Sequence, residues 1–325
     1  MEEQPVAVCA APASSSMSVA ICAYTMLRWR NLLDAVDSVL AQMLPGDEVL
    51  LIIDHNDELL ARAGDRFADS PQVRVVGNTG PRGLSAARNT AVEASRGGLI
   101  AFLDDDAVAG AEWLDRMRAA LDDEQVLAVG TAAVPNWPTG RRPAWFPPEF
   151  DWVVGCSYLG LPSVPSDVRN VIGAGMGFRR EAFELAGRFS TAVGRIGTAP
   201  TGCEETELCI RLRSAKPGIR VVYLPDVAVS HLVTPDRLRL RYFLRRCVGE
   251  GLSKARVARL VGADACLSTE RRYLTSVLPR GVCREVARGL RGQWTGWLAG
   301  TLIVGGALVT GAAYAAGRLR RVGAS

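Results

Sequence analysis

The chain has 325 residues, of which 48% are hydrophobic and 22% are charged, and its formal net charge is +4. This composition excludes a disordered, collagen-like or disulfide-rich chain and predicts one large globular domain with an appendage. The eight cysteines are scattered, with no Cys-x-x-Cys pair, which indicates a reducing compartment and argues against a zinc or disulfide framework.

The two ends of the chain differ from its middle. Residues 1–16 are rich in Ala, Pro and Ser and lack the basic-then-apolar order of a signal peptide, so we expect a disordered tail. Residues 297–316 contain no charge and are long enough to span a bilayer. We therefore expect residues 292–325 to be a transmembrane or membrane-associated segment that anchors the protein at the cytoplasmic face of the cell membrane, with a buried core helix as the alternative.

Charge is unevenly distributed along the chain. Residues 1–235 carry 21 basic and 29 acidic side chains, whereas residues 236–291 carry 14 basic and 5 acidic ones. The pattern between Arg237 and Arg259 predicts a pair of basic amphipathic helices that face an anionic membrane surface or hold a diphosphate. We expect no nucleic-acid partner, because no helix-turn-helix, zinc finger or stacking repeat supports one.

Strands and helices alternate along the first hundred residues. The predicted strands are residues 18–24, 49–53, 73–76 and 99–103, and the predicted helices are 31–42 and 85–95. This alternation predicts an α/β fold with a parallel sheet and right-handed crossovers. Four such strands form a nucleotide-binding half of the doubly wound kind.

Three consecutive carboxylates, Asp104, Asp105 and Asp106, follow the apolar run 99–103. They stand at the carboxyl end of a strand, where open α/β sheets bind ligands. Side chains alternate in an extended chain, so Asp104 and Asp106 project to one side and can reach one divalent cation with the phosphates it bridges. For the triplet alone, a solvated turn or a helix N-terminus is the alternative.

The order of four motifs resembles that of inverting glycosyltransferases of family 2, which have the GT-A fold. The motifs are residues 21–24 (Ile-Cys-Ala-Tyr) with 38–42 (Ser-Val-Leu-Ala-Gln), 53–56 (Ile-Asp-His-Asn), 82–89 (Arg-Gly-Leu-Ser-Ala-Ala-Arg-Asn) and 102–106 (Phe-Leu-Asp-Asp-Asp). The resemblance covers residues 18–260. It implies a GT-A (Rossmann-like) domain over residues 17–235, followed by a basic helical region over 236–291.

The resemblance also implies a nucleotide-binding set. Its members are Ala23, Tyr24, Asp54, Arg82, Arg88, Asp104 and Asp105. Asp54 would accept an N–H of the base and Tyr24 would stack on that base. Arg82 and Arg88 would bind the diphosphate beside a helix N-terminus. The alternatives are a turn residue for Asp54 and surface salt bridges for the two arginines.

A Mn²⁺ or Mg²⁺ site at Asp104, Asp106 and His231 is a further implication of the resemblance, with Asp105 facing away or bonding the ribose. His231 is one of only two histidines in the chain, and a structural hydrogen-bonding role is its alternative. The cation would act as a Lewis acid on the leaving nucleoside diphosphate.

Residues 202–213 resemble the family's Glu-Asp-x-Glu-Leu element at the start of a helix. Inverting transfer needs a base that takes the acceptor's proton. Glu205 occupies the position of the family's basic Asp and is the favoured base, and Glu204 is the alternative. Two acids at a helix N-terminus are also favourable without any function.

The proline-rich stretch 135–148 and its neighbourhood contain four aromatic side chains, Trp137, Trp145, Phe146 and Trp152. They are consistent either with a stacking floor for a sugar or lipid head group or with a loop packed on the core.

The sequence therefore predicts an inverting glycosyltransferase that moves a sugar from a nucleotide-diphosphate donor, most simply a UDP-sugar, to a lipid-linked, polysaccharide or glycoside acceptor. One alternative is a sugar-phosphate nucleotidyltransferase, which needs a Gly-rich loop with a Lys near the first strand, but the only lysines are Lys216 and Lys254. The other alternative is a non-catalytic, membrane-attached nucleotide-binding scaffold.

Overall fold

The computed structural model describes residues 16–195 and 202–319. The predicted tail, apart from Ser16, and residues 320–325 lie outside the described residues. The strands are β1 (Met17–Ala23), β2 (Glu48–Ile53), β3 (Val73–Gly77), β4 (Leu99–Asp104), β5 (Ala107–Ala109), β6 (Val126–Asn136), β7 (Ser166–Asp167), β8 (Gly175–Arg179) and β9 (Arg220–Leu232). The α-helices are α1 (Trp29–Leu40), α2 (Asp57–Phe67), α3 (Leu84–Ala94), α4 (Trp113–Leu121), α5 (Arg180–Ala186), α6 (Glu204–Ala215), α7 (Leu240–Val261), α8 (Ala263–Cys266), α9 (Glu270–Arg272), α10 (Leu278–Leu290) and α11 (Trp294–Leu319).

The strands form one mixed sheet in the order β3-β2-β1-β4-β8-β6-β9-β5, and β7 pairs with β9. In the first half of the sheet, β1, β2, β3 and β4 run parallel to one another, as the sequence predicts. The expectation of a parallel sheet is wrong for the second half, because β8 runs antiparallel to both β4 and β6. No α-helix separates β6 from β8, and an antiparallel neighbour does not need a crossover helix.

Both faces of the sheet are covered, which explains why the central strands are apolar along their whole length. The residues of β2 are all buried. One face packs against α1, α2 and α4, and the other packs against α3, α5 and α6.

Strand register brings the predicted site residues to one edge of the sheet. Cys22 of β1 pairs with Asp104 of β4, and Ala23 pairs with Ile53 of β2. Because these strands are parallel, the residues that follow them lie side by side. β5 then pairs antiparallel with β9, placing Ala107 opposite His231. A histidine far along the chain is thereby brought back to the acid triplet.

The basic segment forms one helix, α7, in place of the predicted helix pair. Gly249 and Gly251 in its middle lower the helix propensity, but Gly251 is needed for close packing, because a Cβ there would clash with the carbonyl oxygen of Thr310 in α11. Phe243 near the start of α7 lies against Gly306, and Ala255 near its end lies against Gly317, so α7 and α11 run parallel.

The C-terminal helices are fixed to the rest of the chain by an ion pair and a hydrogen bond, both at Glu149. Glu149 is fully buried and accepts hydrogen bonds from both terminal nitrogens of Arg284 in α10, at 2.8 and 3.1 Å. The Tyr273 hydroxyl donates to the backbone carbonyl of the same Glu149. Removing one partner of a buried pair costs about 3–5 kcal/mol. We infer that α10 and α11 are integral to the packed body of the protein.

The aromatic loop packs into the core. The ring centroids of Trp137 and Phe146 lie 5.5 Å apart, and Phe146 lies 5.9 Å from Phe243 of α7. Trp137 and Phe146 are both buried. The core-packing alternative is therefore confirmed for these two residues. The loop packs between the sheet and α7.

Candidate active site

A cleft opens at the carboxyl ends of β1, β2 and β4. It is lined by Cys22, Ala23, Tyr24, Arg28, Asp54, Gly83, Leu84, Ala87, Asp104, Asp105, Asp106 and Arg195. Five of the seven residues predicted to bind the nucleotide are among them. Arg82 lies at the rim, where it donates to the carbonyl of His55, and Arg88 lies behind the cleft wall.

Asp54 ties the end of β2 to the loop before α3. One oxygen accepts from the backbone N–H of Gly83 at 2.9 Å, and the other accepts from the Asn78 amide at 2.7 Å and faces His55 Nδ1 at 2.8 Å. His55 has a left-handed backbone conformation with φ of 52°. Asp54 is thus a buried organiser of the cleft, a stronger role than that of a plain turn residue.

Tyr24, which follows β1, also lines the cleft. Its side chain is among the exposed large apolar groups of the chain, at 38%. The guanidinium of Arg28 lies 5.9 Å from the ring centroid. The ring is therefore partly accessible from the cleft.

The three acids of the triplet differ in exposure and in partners. Asp104 is the accessible member, with 30% of its side chain exposed, whereas Asp105 and Asp106 are buried. Asp105 accepts from Arg28 at 2.7 Å and is not part of the group formed by Asp104, Asp106 and His231. Burial, reinforced by Asp106, raises the pKa of Asp105 to about 7 despite Arg28. We infer that Asp105 has a different task from its neighbours.

Asp104, Asp106 and His231 converge. Their nearest ligand atoms all lie within 4.8 Å of one another, and His231 Nε2 is 3.3 Å from Asp106 Oδ1 and 3.9 Å from Asp104 Oδ2. Burial lowers the pKa of His231 despite the attraction of Asp106, which favours the neutral imidazole that binds metals. Two carboxylate oxygens and one imidazole nitrogen suit Mn²⁺ or Mg²⁺, so the residues present fit the predicted cation.

Two arginines that were not predicted as site residues hold Asp106 in place. Arg237 and Arg28 approach Asp106 Oδ2 at 2.9 and 3.1 Å, leaving Oδ1 directed at His231. Burial alone would raise the pKa of Asp106, but His231, Arg237 and Arg28 together lower it to about 2. Asp106 is therefore ionised, and its charge is balanced by the two arginine side chains.

Arg88 has a buried carboxylate partner. Its Nη1 donates to Glu204 at 2.8 Å, and its Nη2 donates to the carbonyl of Gly173 at 3.1 Å and lies 3.4 Å from Asp104. The surface salt bridge considered for Arg88 is wrong, because the side chain is buried against Phe102 and Phe189. Arg88 thereby links the start of α6 to the end of β4.

The start of α6 presents two acids in different environments. Glu204 is buried and engaged by Arg88. Glu205 is half-buried, and burial together with the neighbouring charge of Glu204 raises its pKa to about 8. A carboxylate with a pKa near the working pH is suited to proton transfer.

Comparison with known proteins identifies the family of this chain. The family model for glycosyl transferase family 2 matches residues 18–186. A glucosyl-dolichyl phosphate glucuronosyltransferase of Haloferax volcanii is 33% identical over 239 residues, which cover 73% of this chain and 76% of the relative. The chain belongs to glycosyltransferase family 2. The family 2 resemblance predicted from the four motifs is confirmed.

Other similarities agree with this assignment. The succinoglycan biosynthesis protein ExoM of Rhizobium meliloti is 27% identical over 177 residues, covering 54% of this chain and 52% of ExoM. The mannosyltransferase PcManGT from Pyrobaculum calidifontis, solved with GDP-Man and Mn²⁺, has a TM-score of 0.56 at 18% identity and covers 90% of this chain and 86% of PcManGT. GalNAc-T7, solved with UDP, GalNAc and Mn²⁺, has a TM-score of 0.53 at 15% identity, covering 81% of this chain and 56% of GalNAc-T7. These structures confirm the predicted GT-A fold.

Proposed function

We propose that this family 2 enzyme transfers a sugar, with inversion, from a UDP-sugar to a lipid-linked acceptor. The observation that carries the proposal is the convergence of Asp104, Asp106 and His231 in the cleft. Arg88 contacts both Asp104 and Glu204, so the acids of α6 border the same site. A donor diphosphate on the acid cluster would then have a base close by.

The donor nucleotide would lie between Tyr24 and Asp54. The accessible ring of Tyr24 would stack on the base, and Asp54 would accept an N–H from it. Ala23 would border the ribose through its backbone, with Asp105 nearby, and Arg82 at the rim would support the diphosphate.

The reaction would divide the work among these residues. When bound to Asp104, Asp106 and His231, a divalent cation supplies Lewis-acid stabilisation of the leaving diphosphate. Glu205 would take the proton of the acceptor hydroxyl as its oxygen attacks the anomeric carbon from the face opposite the leaving group. Arg88 would position Glu204 and Asp104 and prevent Glu204 from competing as the base.

The lipid-linked acceptor is supported from two sides. The Haloferax volcanii relative is named for glucosyl-dolichyl phosphate as its acceptor and matches 73% of this chain. In addition, α11 is long and apolar enough for a membrane, and among the described residues it alone meets that description. An enzyme held at a membrane meets lipid-linked acceptors at high local concentration.

A donor and acceptor screen tests the proposal. We expect the full-length protein to release UDP from a UDP-sugar when a polyprenyl-linked glycoside is present, and to lose this activity when EDTA removes Mn²⁺ or Mg²⁺. Product formation with a soluble polysaccharide alone would contradict the lipid acceptor. Release of pyrophosphate from UTP and a sugar phosphate would instead support a nucleotidyltransferase, and the absence of any metal-dependent product would support a scaffold.

The raised pKa of Glu205 predicts a pH dependence. Since a base must be unprotonated, activity should rise with pH through about 8, and at pH 6 it should be about a hundredfold below its plateau. The measurement is kcat/KM between pH 6 and pH 9, with the stability of the protein checked at each pH. A profile that is flat from pH 6 to pH 8 would contradict the assignment of Glu205 as the base.

A further inference from the structure

α11 is organised in the opposite way to a helix at the surface of a soluble protein. From Trp294 to Gly317 it has no charged side chain. Its buried side consists largely of small residues, including Gly296, Ala299, Gly300, Gly306 and Gly317. Its exposed side carries the large apolar residues Trp294, Trp297, Leu298, Val304 and Leu308. Helices at the surface of soluble proteins bury their large apolar residues and expose polar ones. The exposed apolar face of α11 therefore indicates contact with a protein or a membrane.

The exposed residues of α11 recur every three or four positions, which places them on one side of the helix. Arg291 precedes this face and Arg318 follows it, and both side chains are exposed. Neither has an ion-pair partner among the residues that the structure describes. Tryptophan at one end and arginine at both ends are the groups that settle at the interface of an anionic membrane.

The packing of α11 argues against a crossing of the bilayer. Its second half lies against α7, with Gly317 beside Ala255 and its carbonyl accepting from Arg259. Nearer the middle of α11, Gly306 lies against Phe243 of α7. Arg241 and Arg245, on either side of Phe243, are exposed. If α11 crossed the membrane in this arrangement, it would carry these charges into the hydrocarbon, where charged side chains are strongly disfavoured.

The first half of α11 packs against α10, which also carries charged side chains next to it. Gly296 and Gly300 lie against Glu285 of α10. Glu285 is buried and pairs with Arg284 and Arg288, at 2.8 and 2.6 Å. Because α10 and α7 both carry charges beside α11, only the exposed face of α11 is free to enter lipid.

We propose that α11 lies in the plane of an anionic membrane, with Trp294, Val304 and Leu308 inserted among the acyl chains and its glycine face on α7 and α10. The helix would thus dock the enzyme on one leaflet without crossing it. This inference rests on the packing of α11 and is independent of the donor and acceptor proposed above.

Vesicle flotation of the full-length protein tests the docking face. We expect the protein to float with vesicles of phosphatidylcholine and phosphatidylglycerol, and more weakly with phosphatidylcholine alone. Leu308→Glu should weaken binding by about tenfold or more, since it places a charge at the centre of the face. Leu308 is 68% exposed, so the fold should be retained, as circular dichroism will check. The matched control is Leu185→Glu on α5, where the native leucine is 39% exposed and binding should not change.

Cysteine labelling tests the orientation. In a background lacking Cys9 and Cys283, Gln293→Cys and Leu319→Cys place a thiol at each end of α11, and the background protein itself is the control for labelling of the half-buried Cys22. When protein is bound to sealed vesicles, a membrane-impermeant maleimide added outside should label both positions without detergent. Protection of Leu319→Cys until detergent is added would show a crossing helix and overturn the proposal.

Two further results would also overturn it. One is equal vesicle binding by the wild type and Leu308→Glu. The other is a dimeric wild type whose Leu308→Glu variant is monomeric and still binds vesicles, because the exposed face of α11 would then be a contact between two copies of the chain. UDP binding is measured on the same samples. If the wild type binds UDP but not vesicles, the membrane proposal fails and the proposed function stands. If the wild type does not bind UDP, the proposed function fails and the membrane proposal stands.

Discussion

Replacing Glu205 by glutamine is expected to lower turnover by about 10²–10⁴-fold, the range that general-base catalysis contributes. The amide keeps the shape of the side chain but does not accept the acceptor's proton. Glu205 has no ion-pair partner among the described residues, and burial already favours its neutral form, so the fold should be preserved. The measurement is UDP release with the acceptor present, alongside UDP affinity, which should be unchanged.

Glu204→Gln provides the comparison. Glu204 is the buried partner of Arg88 at 2.8 Å, so neutralising Glu204 removes the negative charge that pairs with the buried guanidinium of Arg88. We expect this variant to lose stability as well as activity, in contrast to Glu205→Gln. If Glu205→Gln kept wild-type turnover while Glu204→Gln stayed folded and lost it, Glu204 would be the base.

The second large effect concerns the two acids of the predicted cation site. Asp104→Asn and Asp106→Asn should each weaken Mn²⁺ affinity by more than the roughly 10–100-fold that loss of a ligand's hydrogen-bonding partner costs, since each removes a ligand charge. Only Asp106→Asn should also lower the free energy of unfolding by about 3 kcal/mol. The reason is that Asp106 is buried between Arg28 and Arg237, whereas Asp104 is partly exposed.

Calorimetric titration with Mn²⁺ in the presence of UDP measures the first effect, and denaturant unfolding measures the second. Unfolding is compared without metal, so that lost binding does not enter the stability difference. Equal stability of the two variants would contradict the role given to the arginines. Unchanged Mn²⁺ affinity in both would contradict the cation site itself.

The sequence predicts the first half of the sheet well because its strands are apolar runs that end in recognisable motifs. Tyr24, Asp54 and Asp104 each follow such a run, and parallel pairing alone brings them together. The direction of β8 is not predicted, since it depends on how a long irregular connection re-enters the sheet. Periodicity within a strand contains no information about the direction of its neighbours.

The partners of the site residues were harder to predict than the residues themselves. Arg28 contacts Asp105 across 77 positions and Arg237 contacts Asp106 across 131. An arginine beside an acid cluster is not visible at such separations without the fold. Arg88 illustrates the same limit: its position indicated an anion, but the anion in the structure is Glu204. Similarly, the uncharged sequence of α11 indicates lipid contact but does not show which side faces outward.

The two arginines on Asp106 also affect whether the chain needs a metal ion in order to fold. A cluster of three adjacent carboxylates would normally oppose folding until a cation arrived, as in small metal-dependent domains that are unfolded in the apo state. Here Arg28 and Arg237 neutralise the buried part of that charge from within the chain. The protein should therefore mature independently of the cellular supply of divalent ions. If the proposed cation is required for turnover, loss of metal would inactivate the enzyme reversibly without unfolding it.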